Sequence, residues 1–258
     1  MSTCSYTVDD RGIALMVINN PPMNALSTPV IRDIRQAVEN ALADDAVRVV
    51  VFTGEGRAFI AGADISEFTG LNTRKEGSDW LKAGQDLLNI IENADKPFIA
   101  AINGFALGGG TELALACHIR IADETAQMGL PEIKLGIIPG FGGTQRSPRL
   151  FGTGRAYELV LSGNFISGRQ AAEYGLVNRT APKGESVNEA KKLAQAIALR
   201  GRPAIRAAMN VIRKGITMNF NDALTMERDA FGSLCETENK REGVAAFLAK
   251  RDPVPKDS

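Results

Sequence analysis

The stretch from Pro97 to Arg146 decides the fold, and it reads PFIAAINGFALGGGTELALACHIRIADETAQMGLPEIKLGIIPGFGGTQR. Its apolar run at 98–102 predicts a short strand, and a glycine-rich turn follows at 104–110. A helix is predicted over 111–117 and a second strand over 119–122. This alternation of strands and helices is typical of an α/β core.

Two carboxyl groups in this stretch have apolar surroundings. Glu112 follows three glycines at the predicted start of a helix, and Glu132 follows a proline and precedes a second glycine-rich loop at 136–143. The first N–H groups of a helix lack internal acceptors and carry partial positive charge. Such a turn could bind an oxygen that becomes negative while a neighbouring carboxyl group moves a proton. The structural alternative is that Glu112 only compensates the helix dipole and that the glycines only form a turn.

Composition limits the class of protein. The 258 residues suffice for one large domain or two smaller ones, and the hydrophobic content of 44% supports a sizeable core. Thirty basic residues balance thirty acidic ones, which argues against a broad nucleic-acid-binding face. The three cysteines are far apart and odd in number, which suits a reducing compartment. Without a signal pattern or a long apolar run, the chain is expected to be soluble and cytoplasmic.

Upstream of the central stretch, the pattern predicts a hairpin, a helix, a strand and a second helix, at residues 5–19, 28–42, 47–53 and 76–93. Thr28 is the predicted N-cap of the first helix, with Pro29 at its first helical position. In the second helix, Trp80 and Leu81 are assigned to the core. The small residues at 61–64 lie in a loop where the main chain would be accessible to a ligand.

Downstream, the pattern becomes mainly helical. Ser167 and Gln170 form a predicted capping box, and 177–180 is the last predicted strand. Four further helices are predicted, at residues 186–199, 204–214, 221–235 and 237–250. The shift in composition near residue 182 divides the chain into an α/β core at 1–182 and a helical carboxy-terminal region at 183–258, which is expected to form subunit contacts.

Several chemistries are excluded by what the sequence lacks. His118 is the only histidine and lies next to a predicted strand, and no G-x-S-x-G segment accompanies it, so a Ser-His-Asp triad is excluded. The sequence has no His and Cys clusters for a metal and no phosphate-binding loop. The two carboxyl groups and the glycine-rich backbone remain. That combination suits acid–base chemistry on a carbonyl compound without a cofactor.

The segments AFIAGADISEF, INGFALGGGTELALAC and GLPEIKLGIIPGFGGTQR resemble the signature segments of the enoyl-CoA hydratase/isomerase, or crotonase, family. The resemblance continues through NPPMNALS near the amino terminus to EGVAAFLAKR near the carboxy terminus, so it covers nearly the whole chain. It implies a spiral of ββα units with a helical carboxy-terminal region. It also implies homotrimers, which are commonly paired into hexamers.

The resemblance assigns roles to individual residues. The backbone N–H groups of Ala63 and Gly109 would form an oxyanion hole for the thioester oxygen. Glu112 would activate a water molecule for attack at Cβ, and Glu132 would deliver a proton to Cα. Gly109 is expected to have a conformation that only glycine adopts cheaply, which would let the thioester approach the main chain.

The same resemblance implies contacts with coenzyme A, which is part of the substrate rather than a separate cofactor. Four residues of one loop would line its path, namely Ala61, Asp64, Ile65 and Ser66. Near the carboxy terminus, Phe247 and Lys250 match positions that reach the CoA of a neighbouring subunit. No metal, nucleic acid or membrane is expected among the partners.

The activity that the resemblance implies is that of an enoyl-CoA hydratase, with reversible syn addition of water to a trans-2-enoyl-CoA. Both family acids are present, whereas single-acid isomerases typically lack a match to Glu112. One alternative is another reaction of the family, either double-bond isomerisation or hydration of a cyclic dienoyl-CoA. The other alternative is an RNA-binding relative, against which the balanced charge argues.

Overall fold

The strands form two sheets, and the computed structural model describes them within residues 2–254. They are β1 (Cys4–Val8), β2 (Ile13–Ile18), β3 (Val49–Gly54), β4 (Ala58–Ile60), β5 (Phe98–Ile102), β6 (Phe105–Leu107), β7 (Ile119–Asp123), β8 (Gln127–Gly129), β9 (Phe165–Ser167) and β10 (Arg179–Ala181). In this described range, one sheet has the order β1-β2-β3-β5-β7-β10 and the other has the order β4-β6-β8-β9. Both sheets are parallel except where β1 pairs with β2 and β8 pairs with β9.

Helices follow the strands in a regular order. They are α1 (Thr28–Ala43), α2 (Arg74–Glu92), α3 (Gly109–Ala116), α4 (Gly143–Phe151), α5 (Thr153–Ser162), α6 (Gly168–Tyr174), α7 (Ser186–Ala198), α8 (Arg202–Gly215), α9 (Phe220–Cys235) and α10 (Glu238–Leu248). Short 3₁₀ helices occupy Ile65–Gly70 and Pro131–Leu135. The chain passes from the first sheet to the second and then into a helix three times, as β3-β4-α2, β5-β6-α3 and β7-β8-α4. The predicted spiral of ββα units is therefore confirmed.

The central strands are apolar because both faces of the larger sheet are covered. Every residue of β3 and of β5 is buried, and these two strands pair in parallel. Continuous apolar runs of this kind are typical of parallel strands that are buried on both faces. The rings of Phe52, Phe59 and Phe98 are among the largest fully buried side chains of the core.

Sequence signals at the helix ends were mostly correct. Ser167 accepts a hydrogen bond from the Gln170 N–H, and the Gln170 side chain accepts one in return, so the predicted capping box is present. The prediction for α1 was wrong by one position, because Ser27 is the N-cap and Thr28 is already helical. The last strand also lies slightly later than predicted, at Arg179–Ala181.

The chain divides into two compact units, one ending at Ala194 and the other beginning at Gln195. This division lies beyond the predicted boundary at residue 182. Asp123 at the end of β7 accepts hydrogen bonds from the N–H groups of Gly184 and Ser186, so the start of α7 is tied to the α/β core. Among the helices within residues 2–254, none has both the length and the apolar character needed to cross a membrane.

Candidate active site

A cavity of about 880 Å³ lies in the first unit, where the carboxyl ends of several elements meet. Its lining comes from the loop before the 3₁₀ helix Ile65–Gly70, from that helix itself, from α2, from the start of α3 and from the segment that follows β8. Two carboxyl groups, Glu112 and Glu132, are the charged side chains among the described lining residues. The rest of the lining is mostly apolar, so the cavity suits a ligand with an apolar portion next to a reacting polar group.

Glu112 lies in the first turn of α3 and is only 2% exposed. Its Oε1 accepts a hydrogen bond of 2.7 Å from the N–H of Gly143, the first residue of α4. Burial and the nearby charge of Glu132 raise the pKa of Glu112 to about 8, against the opposing effects of the Gly143 N–H and of Arg146. A carboxyl group with this pKa can gain or lose a proton near neutral pH.

Glu132 lies in the 3₁₀ helix Pro131–Leu135, directly after Pro131. Its Oε2 is buried and has no hydrogen-bond partner within residues 2–254. Burial raises the pKa of Glu132 to about 7. The cavity therefore contains two carboxyl groups that both titrate near neutrality, and such an environment is typical of acid–base catalysis.

Each of the three glycines before Glu112 avoids a different steric clash that a side chain would cause. Gly108 has a φ of +51°, and a Cβ there would lie 2.6 Å from Glu132 Oε1. A Cβ at Gly110 would lie 2.0 Å from the carbonyl oxygen of Ile60, so that glycine lets α3 pack directly on β4. At Gly109, a Cβ would instead press on the side chains of Leu26 and Phe141. The expectation that Gly109 needs a glycine-only conformation was wrong, because the left-handed residue is Gly108.

The N–H groups of Ala63 and Gly109 have no acceptor within the part of the chain that the structure describes. Leu26 bonds to the residues on either side of Ala63, donating to Gly62 O and accepting from the Asp64 N–H. Gly109 begins α3, where the first N–H groups of a helix lack internal partners. Both residues line the cavity, so two unpaired donors are available to a ligand there.

The predicted CoA-binding residues fall into three groups. Ala61 and Ile65 line the cavity. Asp64 and Ser66 are not among the described lining residues, and Asp64 Oδ1 accepts hydrogen bonds from both the N–H and the hydroxyl group of Ser66. Phe247 in α10 is 83% exposed and, with Lys250, belongs to the second unit. Contact between these residues and CoA stays a prediction.

Arg146 in α4 fixes the loop next to Glu112, and the sequence did not indicate this role. Its guanidinium group donates to the carbonyl oxygen of Phe141 at 2.8 Å and to Glu92 Oε2 at 2.7 Å. It also donates to Asn89 Oδ1 at 3.0 Å, so both acceptor side chains lie at the end of α2. Arg146 thereby holds the loop that places the Gly143 N–H on Glu112.

The core assignment of Trp80 and Leu81 was incomplete. Both side chains pack against the hydrophobic core, and both also line the cavity. The Trp80 ring stacks on Phe141 with the ring centroids 5.2 Å apart. A Cβ at Gly84 would lie 2.3 Å from the Phe141 ring, so this glycine inside α2 makes room for the ring. An isolated glycine inside a helical pattern is the sequence signal that could have indicated this close packing.

Comparison with known proteins finds similarity along nearly the whole chain. The family model described as "Enoyl-CoA hydratase/isomerase" matches residues 9–258. The chain is 44% identical over 254 residues to the "Probable enoyl-CoA hydratase" of Bacillus subtilis, covering 98% of each protein. It is 42% identical over 244 residues to the "Crotonyl-CoA hydratase" of Syntrophomonas wolfei, covering 94% of each. The crystal structure of the enoyl-CoA hydratase from Bacillus anthracis superposes with a TM-score of 0.94 at 38% identity, covering 99% of this chain and all of that one.

Proposed function

The chain belongs to the enoyl-CoA hydratase/isomerase family, and on this basis we propose that it is an enoyl-CoA hydratase. The reaction adds water, reversibly and with syn geometry, to a trans-2-enoyl-CoA and gives the 3-hydroxyacyl-CoA. One observation carries the proposal: two carboxyl groups with raised pKa values share a cavity with two unpaired N–H groups. This set supplies both the proton transfers and the stabilisation of negative charge that the addition of water requires.

The N–H groups of Ala63 and Gly109 would both donate to the thioester oxygen. When hydroxide adds to Cβ, the electron pair of the double bond moves toward the carbonyl group, and negative charge develops on that oxygen. Donors that are already in place stabilise this charge without reorganisation, and the loss of one such donor typically costs about 3 kcal/mol. The lack of internal acceptors for these two groups supports this assignment.

Glu112 and Glu132 would hold one water molecule between them. Glu112 takes a proton from the water as its oxygen bonds to Cβ, and Glu132 gives its proton to Cα. The substrate therefore gains one H and one OH, and the pair ends with its proton on Glu112 instead of Glu132. Both groups would act through this water molecule on one face of the double bond, which would give syn addition. The chemistry consists of proton transfers and carbonyl polarisation, so we propose no cofactor beyond the CoA of the substrate.

The pKa values of about 8 and about 7 leave close to one proton on the pair at pH 7.5. Hydration needs this shared proton on Glu132, with Glu112 ionised. The Gly143 N–H and the charge of Arg146 both favour ionised Glu112. The buried, unpartnered Oε2 of Glu132 suits a neutral carboxyl group. We infer that the bound water and thioester further favour this distribution of the proton.

The test is hydration of crotonyl-CoA, followed by the loss of ultraviolet absorbance of the enoyl thioester. Glu112→Gln and Glu132→Gln should each lower kcat roughly a thousandfold, because each keeps the shape but removes a proton-transferring group. Glu39→Gln, on the exposed face of α1, is the control and should keep the parental rate. A folded variant at either acid with near-parental kcat would refute the assignment, and preferred conversion of 3-enoyl-CoA would favour an isomerase.

We also propose that the chain forms homotrimers, alone or paired into hexamers, through its second unit. Large apolar side chains are exposed there, including Ile212, Ile216, Phe220, Phe231, Phe247 and Leu248. A cluster of exposed apolar residues indicates an interaction surface. Phe247 and Lys250 would then reach the CoA of a neighbouring subunit. Light scattering at micromolar concentration should report a trimer or hexamer, and a monomer would remove the basis for this assignment.

A cytoplasmic location is the final part of the proposal. All three cysteines are free thiols, and Cys4 and Cys117 are buried. Burial raises the pKa of both of these thiols to about 12, so neither is a reactive thiolate. Unpaired cysteines suit a reducing compartment. Fractionation of cells that produce the protein should recover it with cytoplasmic markers, and its recovery in another fraction would contradict this location.

A further inference from the structure

Three aromatic rings form one wall of the cavity. Trp80 is the only tryptophan in the sequence. Its ring stacks on Phe141 and meets Phe68 edge to face, with centroid distances of 5.2 Å and 5.0 Å. All three residues line the cavity. The thioester would occupy the polar end, near Glu112 and Glu132. Ala61 and Ile65 border the predicted path of CoA, which leaves the part of the cavity that these rings border within reach of the acyl chain beyond Cβ.

Glu67 connects this wall to the oxyanion loop. One of its carboxylate oxygens accepts the Thr28 N–H, and the other accepts both the Thr28 hydroxyl and the indole N–H of Trp80, all at 2.8 Å. Glu67 lies in the 3₁₀ helix that begins two residues after Ala63. Thr28 is the first residue of α1. One carboxylate therefore joins the loop that contains Ala63, the start of α1 and the aromatic wall.

This arrangement requires acceptors at both carboxylate oxygens. Glutamine at position 67 would offer one acceptor oxygen and one amide NH₂ group. The Thr28 N–H can only donate, so the amide oxygen would remain there. The NH₂ group would then face Thr28 Oγ1, which can rotate to accept, and the Trp80 N–H, which cannot. Glu67→Gln should therefore break the bond to Trp80 while it keeps the contacts to Thr28.

We propose that Trp80 contacts the acyl chain and determines chain-length selectivity, and that Glu67 is the positioning residue that fixes the Trp80 ring relative to the oxyanion loop. This inference rests on the proposed hydratase function for its kinetic test. The placement of the ring in the cavity is tested separately by binding alone.

The binding test uses the fluorescence of Trp80, which is the only indole signal of the chain. The ligands are CoA, butyryl-CoA and octanoyl-CoA, which have no double bond to hydrate, and calorimetry confirms that each is bound. Emission should shift to shorter wavelength as the acyl chain lengthens, because the chain displaces water from the ring, and CoA alone should cause little shift. An equal shift with CoA alone, or no shift with bound octanoyl-CoA, would overturn the proposal.

The kinetic test is a double-mutant cycle on crotonyl-CoA and trans-2-decenoyl-CoA. A hydrogen bond to a charged group contributes a factor of roughly ten or more to an equilibrium that depends on it. We therefore expect Glu67→Gln and Trp80→Phe each to lower kcat/KM for decenoyl-CoA about tenfold, with a much smaller effect on crotonyl-CoA. The double variant should be no worse than either single variant, because both changes remove the same bond.

Two kinetic outcomes would overturn the coupling. One is a ratio of kcat/KM between the two substrates that Glu67→Gln leaves unchanged, and the other is multiplicative losses of about a hundredfold in the double variant. Glu39→Gln is the matched surface control. A parent enzyme that binds octanoyl-CoA with the predicted emission shift but does not hydrate crotonyl-CoA would refute the proposed function and leave the assignment of Trp80 intact.

Discussion

Replacement of Glu112 by glutamine should make the stability of the protein less sensitive to a rise in pH from 5 to 8. The pKa of Glu112 is raised to about 8 in the folded state, whereas an unfolded chain has the ordinary value near 4.3. Between these two values, the folded state keeps the proton that the unfolded state has lost. The contribution of this group to stability is therefore fully present below about pH 4 and is lost as pH rises toward 8.

The magnitude follows from proton linkage. One proton bound only by the folded state lowers the free energy of unfolding by about 1.4 kcal/mol for each unit of pH. From pH 5 to pH 8, the wild type should lose about 4 kcal/mol from this group, which glutamine does not lose. Glu132 contributes a similar loss up to about pH 7 in both proteins, so it largely cancels in the difference.

The assay is urea unfolding followed by circular dichroism at pH 5, 6.5 and 8, at one fixed protein concentration. Glu112→Gln should be close to the wild type at pH 5 and clearly more stable at pH 8. A difference in unfolding free energy that stays constant over this range would show that Glu112 is ionised in the folded protein at neutral pH. The explanation of its raised pKa by burial and by Glu132 would then be wrong.

Two further predictions concern the surroundings of the acids. Gly108→Ala should lower kcat/KM about a hundredfold, because a residue with positive φ gains a Cβ that displaces Glu132. The control is Gly154→Ala, where a Cβ meets no atom within 4 Å, and it should keep kcat/KM near the parental value. Arg146→Met should lower kcat roughly tenfold and shift the acidic limb of the pH profile of kcat to higher pH, because the arginine lowers the pKa of Glu112. A folded variant whose acidic limb stays at the parental pH would contradict this.

Local patterns in the sequence predicted the larger sheet well and the smaller sheet poorly. The apolar strand β5 and the amphipathic helix α2 follow from periodicity, since each is long enough to show its pattern. In contrast, β4 and β6 have three residues each, and β6 lies inside the segment that was interpreted as a glycine-rich turn. Such short strands form because distant segments pair with them, and no local period reveals that pairing. The spiral arrangement was predicted from the family resemblance alone.

In the candidate site, the sequence likewise revealed the features that depend on neighbours along the chain and missed those that depend on distant segments. Glu112 and Glu132 could be found from the sequence because each acid has apolar neighbours along the chain. The N–H that supports Glu112 belongs to Gly143, 31 positions away, and Arg146 reaches across 54 positions to Glu92. These contacts depend on how α2, α3 and α4 pack together, which a single sequence does not state. Trp80 was assigned to the core for a related reason, because an amphipathic pattern does not distinguish a core contact from a cavity wall.

The unpaired donors of the site remain available because their surroundings are fixed. Gly110 lets α3 lie directly on β4. Thr111 Oγ1 accepts a hydrogen bond from the Gly129 N–H and has the carbonyl oxygens of Ala106 and Gly129 within reach of its one hydroxyl hydrogen. The first turn of α3 therefore cannot rotate to bring the Gly109 N–H to another acceptor. An unsatisfied buried N–H costs about 1–3 kcal/mol. This cost becomes useful when a thioester oxygen acquires negative charge, since the bond from the donor to that oxygen is stronger in the transition state than in the bound substrate.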